Sequence, residues 1–242
     1  MYKSIKALAK KTIQKKVLHK NELFFRYFFG FFYKGKSCQC TICNHDLKSF
    51  IRLKNDDLLC PFCGSLSRTR RLFNLLFENQ NITGKVLHFS PSRSIYRKLK
   101  KHKAIDYYST DFTNAFLADY KFDITKIDQP DDTFNFVICF HILEHIIEDN
   151  KAMQELYRVL KTNGICYIQT PFKEGDIYED YTIKSPQERE KHFGQHDHVR
   201  VYSVKGLKDR LENVGFTTKI LDFQEDIYHG FKAETIIACK KK

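Results

Sequence analysis

The chain has 242 residues, 42% hydrophobic and 29% charged, a globular composition that excludes a disordered or low-complexity protein. Its formal net charge of +12 is uneven: residues 1–36 hold ten Lys/Arg against one acid, Glu22, giving +9, and the remaining 206 residues add only +3. That distribution excludes a main body that is itself a strongly basic nucleic-acid-binding domain.

The arm comes first in the chain. "SIKALAKKTIQKKVLHK" (4–20) puts Ile5, Ala9, Ile13 and Val17 on one helical stripe with lysines on the other faces, and the aromatic run "FFRYFFGFFY" (24–33) follows. A basic amphipathic helix beside aromatics suits an anionic membrane surface. Basic residues interleaved with aromatics are also compatible with RNA, although nothing here reads bases. The plainest alternative is a stripe packed on the rest of the protein with solvated lysines. The run contains Arg26, is too short to span a bilayer and has no small-residue cleavage site after it, so no secretory signal is expected. Eight cysteines without such a signal indicate a reducing, cytoplasmic setting, with the arm at the inner membrane face.

Next comes "CQCTICNHDLKSFIRLKNDDLLCPFCGS" (38–65). Cys40-x-x-Cys43 and Cys60-x-x-Cys63, sixteen residues apart, match a tetrahedral four-cysteine zinc ribbon. Pro61 and Gly64 supply turn chemistry at the second pair, and Cys38 and His45 read as non-ligands. Four protein ligands fill the coordination shell, so the expected zinc is structural. These residues define a ribbon over 37–66, and "SLSRTRRLFNLLFEN" (65–79) reads as a helix leading into a main domain over 67–242.

From residue 85 short apolar runs alternate with amphipathic stretches. Strands are predicted at 86–90, 105–110, 120–125, 134–141 and 165–172, with two more in "FTTKILDF" and "ETIIACKK". Helices are predicted over 94–102, over 144–161 with Ile147, Leu156, Val159 and Leu160 buried, and over 203–215. Gly164 is expected to end the second of these with positive φ. Such alternation argues for a parallel, doubly wound α/β sheet.

"HILEH" (141–145) has the spacing of a zinc-hydrolase motif, which needs both histidines on one face of one helix. The preceding "FNFVICF" has no polar face and reads as a buried strand. His141 then ends a strand while His145 opens a helix, and the hydrolase reading fails. Glu144 reads as a first-turn acid favoured by the helix dipole. Cys139, Cys166 and Cys239 lie in apolar strands and read as core residues.

The stretch "FDITKIDQPDDTFNFVICFHILEHIIEDNKAMQELYRVLKTNGICYIQTPF" (122–172) resembles the centre of class I S-adenosylmethionine-dependent methyltransferases of the type-11 group. "CGSLSR" and "REKHFGQHDHVRVYS" (189–203) resemble a subgroup that also carries an N-terminal four-cysteine ribbon. The resemblance implies a Rossmann-like, doubly wound, seven-stranded methyltransferase sheet. It assigns the cofactor loop to His88, Phe89 and Ser90, with Ser90, Pro91 and Ser92 standing where most relatives have glycines. It gives the ribose hydroxyls to Asp111, the adenine to Asp123 and Ile124, and the methyl-transfer cleft to His141.

Residues 173–200 then become a flap over the cleft. Within it His198 is a candidate catalytic base, with His141 as its alternate. Asp197, its immediate neighbour, is expected to serve a different partner. A His192/His196/His198 metal site is a weaker reading, and a flap that only holds ligand is a further one. The acceptor is unidentified, and three classes follow. The first is a methyltransferase acting on a cell-surface glycan or lipid-linked saccharide, the second an RNA methyltransferase using ribbon and arm, the third a non-catalytic scaffold.

Overall fold

The computed structural model describes residues 21–79 and 82–242. The stripe predicted over 4–20 lies outside the described residues. The chain divides into two compact units. The first takes residues up to Leu75 together with Glu225–Lys232, and the second takes Leu76–Gln224 and Ala233–Lys242.

The first unit opens with helix α1 (Glu22–Gly30), which continues as a 3-10 turn through Tyr33. One side of α1 packs on the ribbon. Gly30 sits so close to the Phe62 ring that a Cβ would fall 2.6 Å from Cδ1, and Tyr27 meets Phe62 edge-on at 5.8 Å. The other side leaves Phe24, Phe28, Phe31 and Phe32 more than half exposed. Two antiparallel hairpins follow, β1 (Lys34–Gln39) with β2 (Asp46–Leu47) and β3 (Ile51–Arg52) with β4 (Leu58–Leu59). Helix α2 (Ser67–Asn74) carries Arg70, which is fully buried. Arg70 donates to the carbonyls of Leu58 and Ser65 and, from across the chain, to those of His229 (2.9 Å) and Gly230 (2.6 Å). A ribbon predicted to close at residue 66 therefore extends to Leu75 and takes in a segment some 160 residues away.

The second unit is built on one six-stranded sheet. Its strands are β5 (Gly84–Phe89), β6 (Ile105–Thr110), β7 (Phe134–Phe140), β8 (Leu160–Gln169), β11 (Thr217–Phe223) and β12 (Glu234–Lys240), in the order β11-β12-β8-β7-β5-β6. Strands β5 to β8 are mutually parallel; β12 runs antiparallel to β8, and β11 to β12. The predicted strand 120–125 is not one of them. It meets β6 through a single bridge, Thr110 to Tyr120, after which Asp123 caps a turn at Thr125. The expected seven strands are therefore six among the described residues. After β5 the chain moves outward to β6 and returns on the other side of β5 for β7. Strand order thus reverses at β5, the place where open α/β sheets bind ligands beyond the carboxyl ends of their strands.

Helix α3 (Arg93–Leu99) links β5 to β6. The helix expected over 144–161 is shorter: a 3-10 turn spans Leu143–His145 and α4 runs Asp149–Val159. Leu156, Val159 and Leu160 are buried as expected, but Ile147 is 58% exposed because it lies in the turn before α4. Leu160 already belongs to β8, and it is Asn163 (φ 63°), not Gly164, that takes the left-handed conformation in a bulge of that strand. Helix α6 (Val204–Val214) matches its prediction at both ends. Ser203 accepts from the Gly206 amide at 3.1 Å, and Gly215 closes it with φ 119°.

The segment read as a flap is ordered by its own elements. Strand β9 (Tyr178–Glu179) pairs with β10 (Arg200–Val201), and between them lies α5 (Pro186–Phe193). Ser185 caps α5 by accepting from the Glu188 amide, Pro186 stands in its first turn, and Gly194 ends it at φ 84°.

Candidate active site

Four parallel strands end at one edge of the sheet, and their last residues define the site. Ser90 follows β5 with φ 46°, and His141 follows β7 with φ 56°. Non-glycine residues in this conformation carry strain, which concentrates at functional positions. Ser90 Oγ donates to Asp111 Oδ1 at 2.7 Å, and the other carboxylate oxygen accepts from the Thr113 hydroxyl (3.2 Å) and the Phe116 amide (3.1 Å). Asp111 is thus a buried carboxylate just after β6 whose partners include two exchangeable hydroxyls.

The remaining cofactor assignments fall in different surroundings. The His88 ring faces Tyr107, with Nδ1 3.0 Å from the phenol oxygen, and burial pushes its pKa down to about 3. Phe89 and Ile124 lie in the main core. All three are buried. Asp123 is exposed and accepts from both the amide and the hydroxyl of Thr125, each at 2.8 Å.

Beside His141 stands a cluster that sequence reasoning dispersed. Glu144 lies in the 3-10 turn Leu143–His145 and not in the first turn of α4, which starts five residues later. Its side chain is 1% exposed, with neither carboxylate oxygen in a hydrogen bond. His141 Nδ1 lies 3.3 Å from Oε1 but outside hydrogen-bonding geometry. The Val199 amide donates to the Glu144 carbonyl at 2.9 Å, which holds the preceding residue, His198, beside this turn. His198 donates from Nδ1 to the Phe193 carbonyl at 3.2 Å, and its ring meets that of His145 edge-on at 4.7 Å. Asp197 turns to His145 instead, with Oδ2 3.3 Å from Nδ1, so Asp197 and His198 do serve different partners. Burial, then the neighbouring His145, lowers the His198 pKa below its ordinary value. His192 pairs with the Tyr178 hydroxyl at 2.7 Å, and no His192/His196/His198 cluster forms among the described residues.

Arg200, Gln169 and Thr170 had no distinct signal in the sequence. Gln169 ends β8 and Thr170 follows it; the His141 amide donates to the Gln169 carbonyl at 2.8 Å. Gln169 Oε1 and Thr170 Oγ1 are both buried without a partner, as expected of groups that await a ligand.

In the first unit the sulfurs of Cys40, Cys43, Cys60 and Cys63 lie within 4.8 Å of one another. Cys40 and Cys63 are 3.6 Å apart and Cys43 and Cys60 3.7 Å, too far for disulfides. Tetrahedral zinc at about 2.3 Å from each sulfur sets an edge of about 3.8 Å, so the cluster fits that ion. The two turns are equivalent: Asn44 (φ 57°) and Gly64 (φ 76°), each four residues after the first cysteine, donate to the carbonyls of Cys40 and Cys60. Cys38 stands apart, with Sγ 3.5 Å from the Leu47 carbonyl. Cys139, Cys166 and Cys239 are buried in the sheet, and burial pushes their thiols up.

A family model described as a methyltransferase domain matches residues 67–219. No curated protein matches the chain. Among solved structures, the chain is similar to the 4+2-cyclase SpnF, with 16% identity and a TM-score of 0.51 over 71% of this chain and 80% of that one. It is similar to a protein from Pyrococcus horikoshii OT3 at 19% identity and a TM-score of 0.51, over 73% and 91% of the two chains. Phosphoethanolamine N-methyltransferase 2 of Haemonchus contortus, solved with S-adenosyl-L-methionine, gives 11% identity and a TM-score of 0.52, over 71% of this chain and 52% of that one. At such identities these structures share a fold, and a fold by itself does not fix chemistry.

Proposed function

The chain belongs to the methyltransferase domain family, and on that premise we propose that its second unit binds S-adenosylmethionine at the carboxyl edge of the sheet and directs the methyl group to an oxygen or nitrogen nucleophile. The observation that carries this reading is the convergence at one edge of strained Ser90 and His141, buried Asp111, and the unpartnered Gln169 and Thr170. The bound cofactor supplies an electrophilic methyl on a sulfonium. Asp111 takes the ribose hydroxyls in place of the Ser90 and Thr113 hydroxyls. Ser90, Pro91 and Ser92 present backbone to the cofactor, and the backbone of His88, Phe89 and Ile124, with Asp123, borders the same crevice. Gln169 and Thr170 hold polar groups of the ligand, and the cluster of His141, Glu144, His145 and His198 receives the acceptor. Most of the catalysis is positioning and exclusion of water, as suits an in-line displacement.

Calorimetry with S-adenosylhomocysteine tests the reading. We expect one saturable site per chain, weakened about 10- to 100-fold by Asp111→Ala, the cost of losing hydrogen bonds to a charged acceptor. Absence of binding at about 1 mM ligand would replace it with a non-catalytic scaffold.

The acceptor reading rests on α1. Among the described residues no helix is long and apolar enough to cross a membrane. The outward aromatics of α1 and the +9 charge of residues 1–36 instead support docking at an anionic lipid surface, where a lipid-linked saccharide is presented. The protein is expected to co-sediment with vesicles rich in phosphatidylglycerol and to lose that association in Phe24→Ser/Phe28→Ser. Retention on RNA, falling steeply with salt, without retention on vesicles would favour an RNA acceptor. The four-cysteine cluster we assign to one structural zinc.

A further inference from the structure

We propose that Glu144, His145 and His198 form a second metal site, for a divalent cation of the manganese, iron or zinc class, beside the methyl-transfer cleft. Their ligand atoms lie within 4.8 Å of one another, the same bound that holds the four sulfurs of the cysteine cluster. Two observations beyond that proximity point to a cation. The Glu144 carboxylate is buried and accepts no well-formed hydrogen bond; its one ion-pair contact among the described residues is His141, whose Nδ1 lies 3.3 Å from Oε1, so Oε2 is left without a partner. A buried carboxylate demands positive charge beside it; His141 reaches one oxygen only, and a cation that joined the carboxylate to the His145 and His198 rings as well would be a metal ion. Both histidines also have Nδ1 already engaged: that of His198 donates to the Phe193 carbonyl, and that of His145 faces Asp197. With a proton on Nδ1, Nε2 is the nitrogen of each ring that keeps a lone pair. Outer partners of this kind, a carbonyl and a carboxylate, are what hold metal-ligating histidines.

Two imidazoles and one carboxylate suit manganese, iron, cobalt or zinc better than magnesium or calcium, which prefer all-oxygen shells. Three protein ligands leave positions open. The role rests on the methyltransferase reading: the cation orients the acceptor's hydroxyl and makes it more acidic. The bond from sulfonium sulfur to methyl breaks as the bond from acceptor oxygen to methyl forms. Sulfur is left as a neutral thioether, and the acceptor's proton leaves to water.

The probe is Mn²⁺, a poor match for four thiolates, titrated into the full zinc-loaded chain and followed by the paramagnetic resonance of the free ion. We expect about one Mn²⁺ per chain. Binding should weaken at least about 100-fold in Glu144→Gln and in His198→Gln, since loss of a ligand costs no less than loss of an outer partner. S-adenosylhomocysteine binding should be unchanged in both. If Glu144→Gln loses its near-ultraviolet dichroism, His145→Gln, at a part-exposed position, supplies the same readout. Mn²⁺ that stays free at about 1 mM, in protein that binds S-adenosylhomocysteine, overturns the cation site alone. Variants that bind Mn²⁺ as well as the parent also overturn it. Mn²⁺ binding in protein that fails to bind S-adenosylhomocysteine upholds the site and removes the methyltransferase reading.

Discussion

Arg200→Ala is expected to lower the thermal midpoint of the second unit by roughly 10 °C and to abolish turnover. Arg200 is fully buried. Its guanidinium donates to Glu179 Oε2 (2.8 Å), the Tyr181 hydroxyl (3.1 Å) and the carbonyls of Leu143 (3.3 Å), Ile146 and Ile147 (3.0 Å). Those carbonyls flank Glu144 and His145, so one side chain clamps the 173–200 segment to the turn that carries the cluster. Truncation leaves carbonyls and a carboxylate buried without donors, at a cost of about 3–5 kcal/mol. For a unit of this size each kcal/mol is worth about 2–4 °C. Arg200→Lys keeps the charge but not the planar fork and should restore only part of the loss. Acid gives a related signature. Partial burial would raise the Glu179 pKa, but Arg210 and Arg200 outweigh it and hold the carboxyl down to about 2. The pairing therefore stabilises fully above the unfolded-chain value of about 4.3 and fades as pH falls toward 2. Arg200→Ala should flatten that acid limb. An unchanged melting curve by calorimetry would show that the clamp is dispensable.

The second large effect is expected at the cysteines. Cys63→Ser should reduce bound zinc from one per chain to well below one, by elemental analysis, and expose residues 34–66 to proteolysis. The core there consists of Cys38, Cys40, Ile42, Leu47, Cys60 and Phe62, so half of its buried residues are cysteines. Little apolar surface remains to hold the hairpins, whereas structural zinc contributes about 10–16 kcal/mol in apparent binding free energy. Buried Arg70 adds to the dependence, because its positive charge sits among thiolates and carbonyls that only the folded ribbon arranges. Cys38→Ser is the control: its sulfur faces a carbonyl outside the cluster, and zinc content should be unchanged. Full zinc in Cys63→Ser would show that the ligand set is wrong.

Features set by near neighbours were legible in the sequence. Each Cys-x-x-Cys pair carries its own turn, so four residues in two short stretches sufficed to mark the ribbon cluster. Helix α6 announces itself with Ser203 and Gly215, and the apolar run before His141 reads as a strand because no helical face could be drawn through it. The resemblance over 122–172 reached the family by the same local means. The sequence alone also excluded one helix carrying both His141 and His145.

Only tertiary structure decided what those residues face. Whether 120–125 became a strand depended on its pairing with β6, which stops after one bridge. Glu144 reads as a first-turn acid favoured by the helix dipole, and its burial was not foreseeable: the turn at Leu143–His145 lies under a segment more than fifty residues downstream. Arg70 finds its carbonyls about 160 residues away, and Arg200 finds its own more than fifty residues back. Periodicity reports the local path of the backbone. A charge's partner is selected by which distant segments the sheet order brings together, and here that order placed a buried carboxylate beside one buried and one half-buried imidazole.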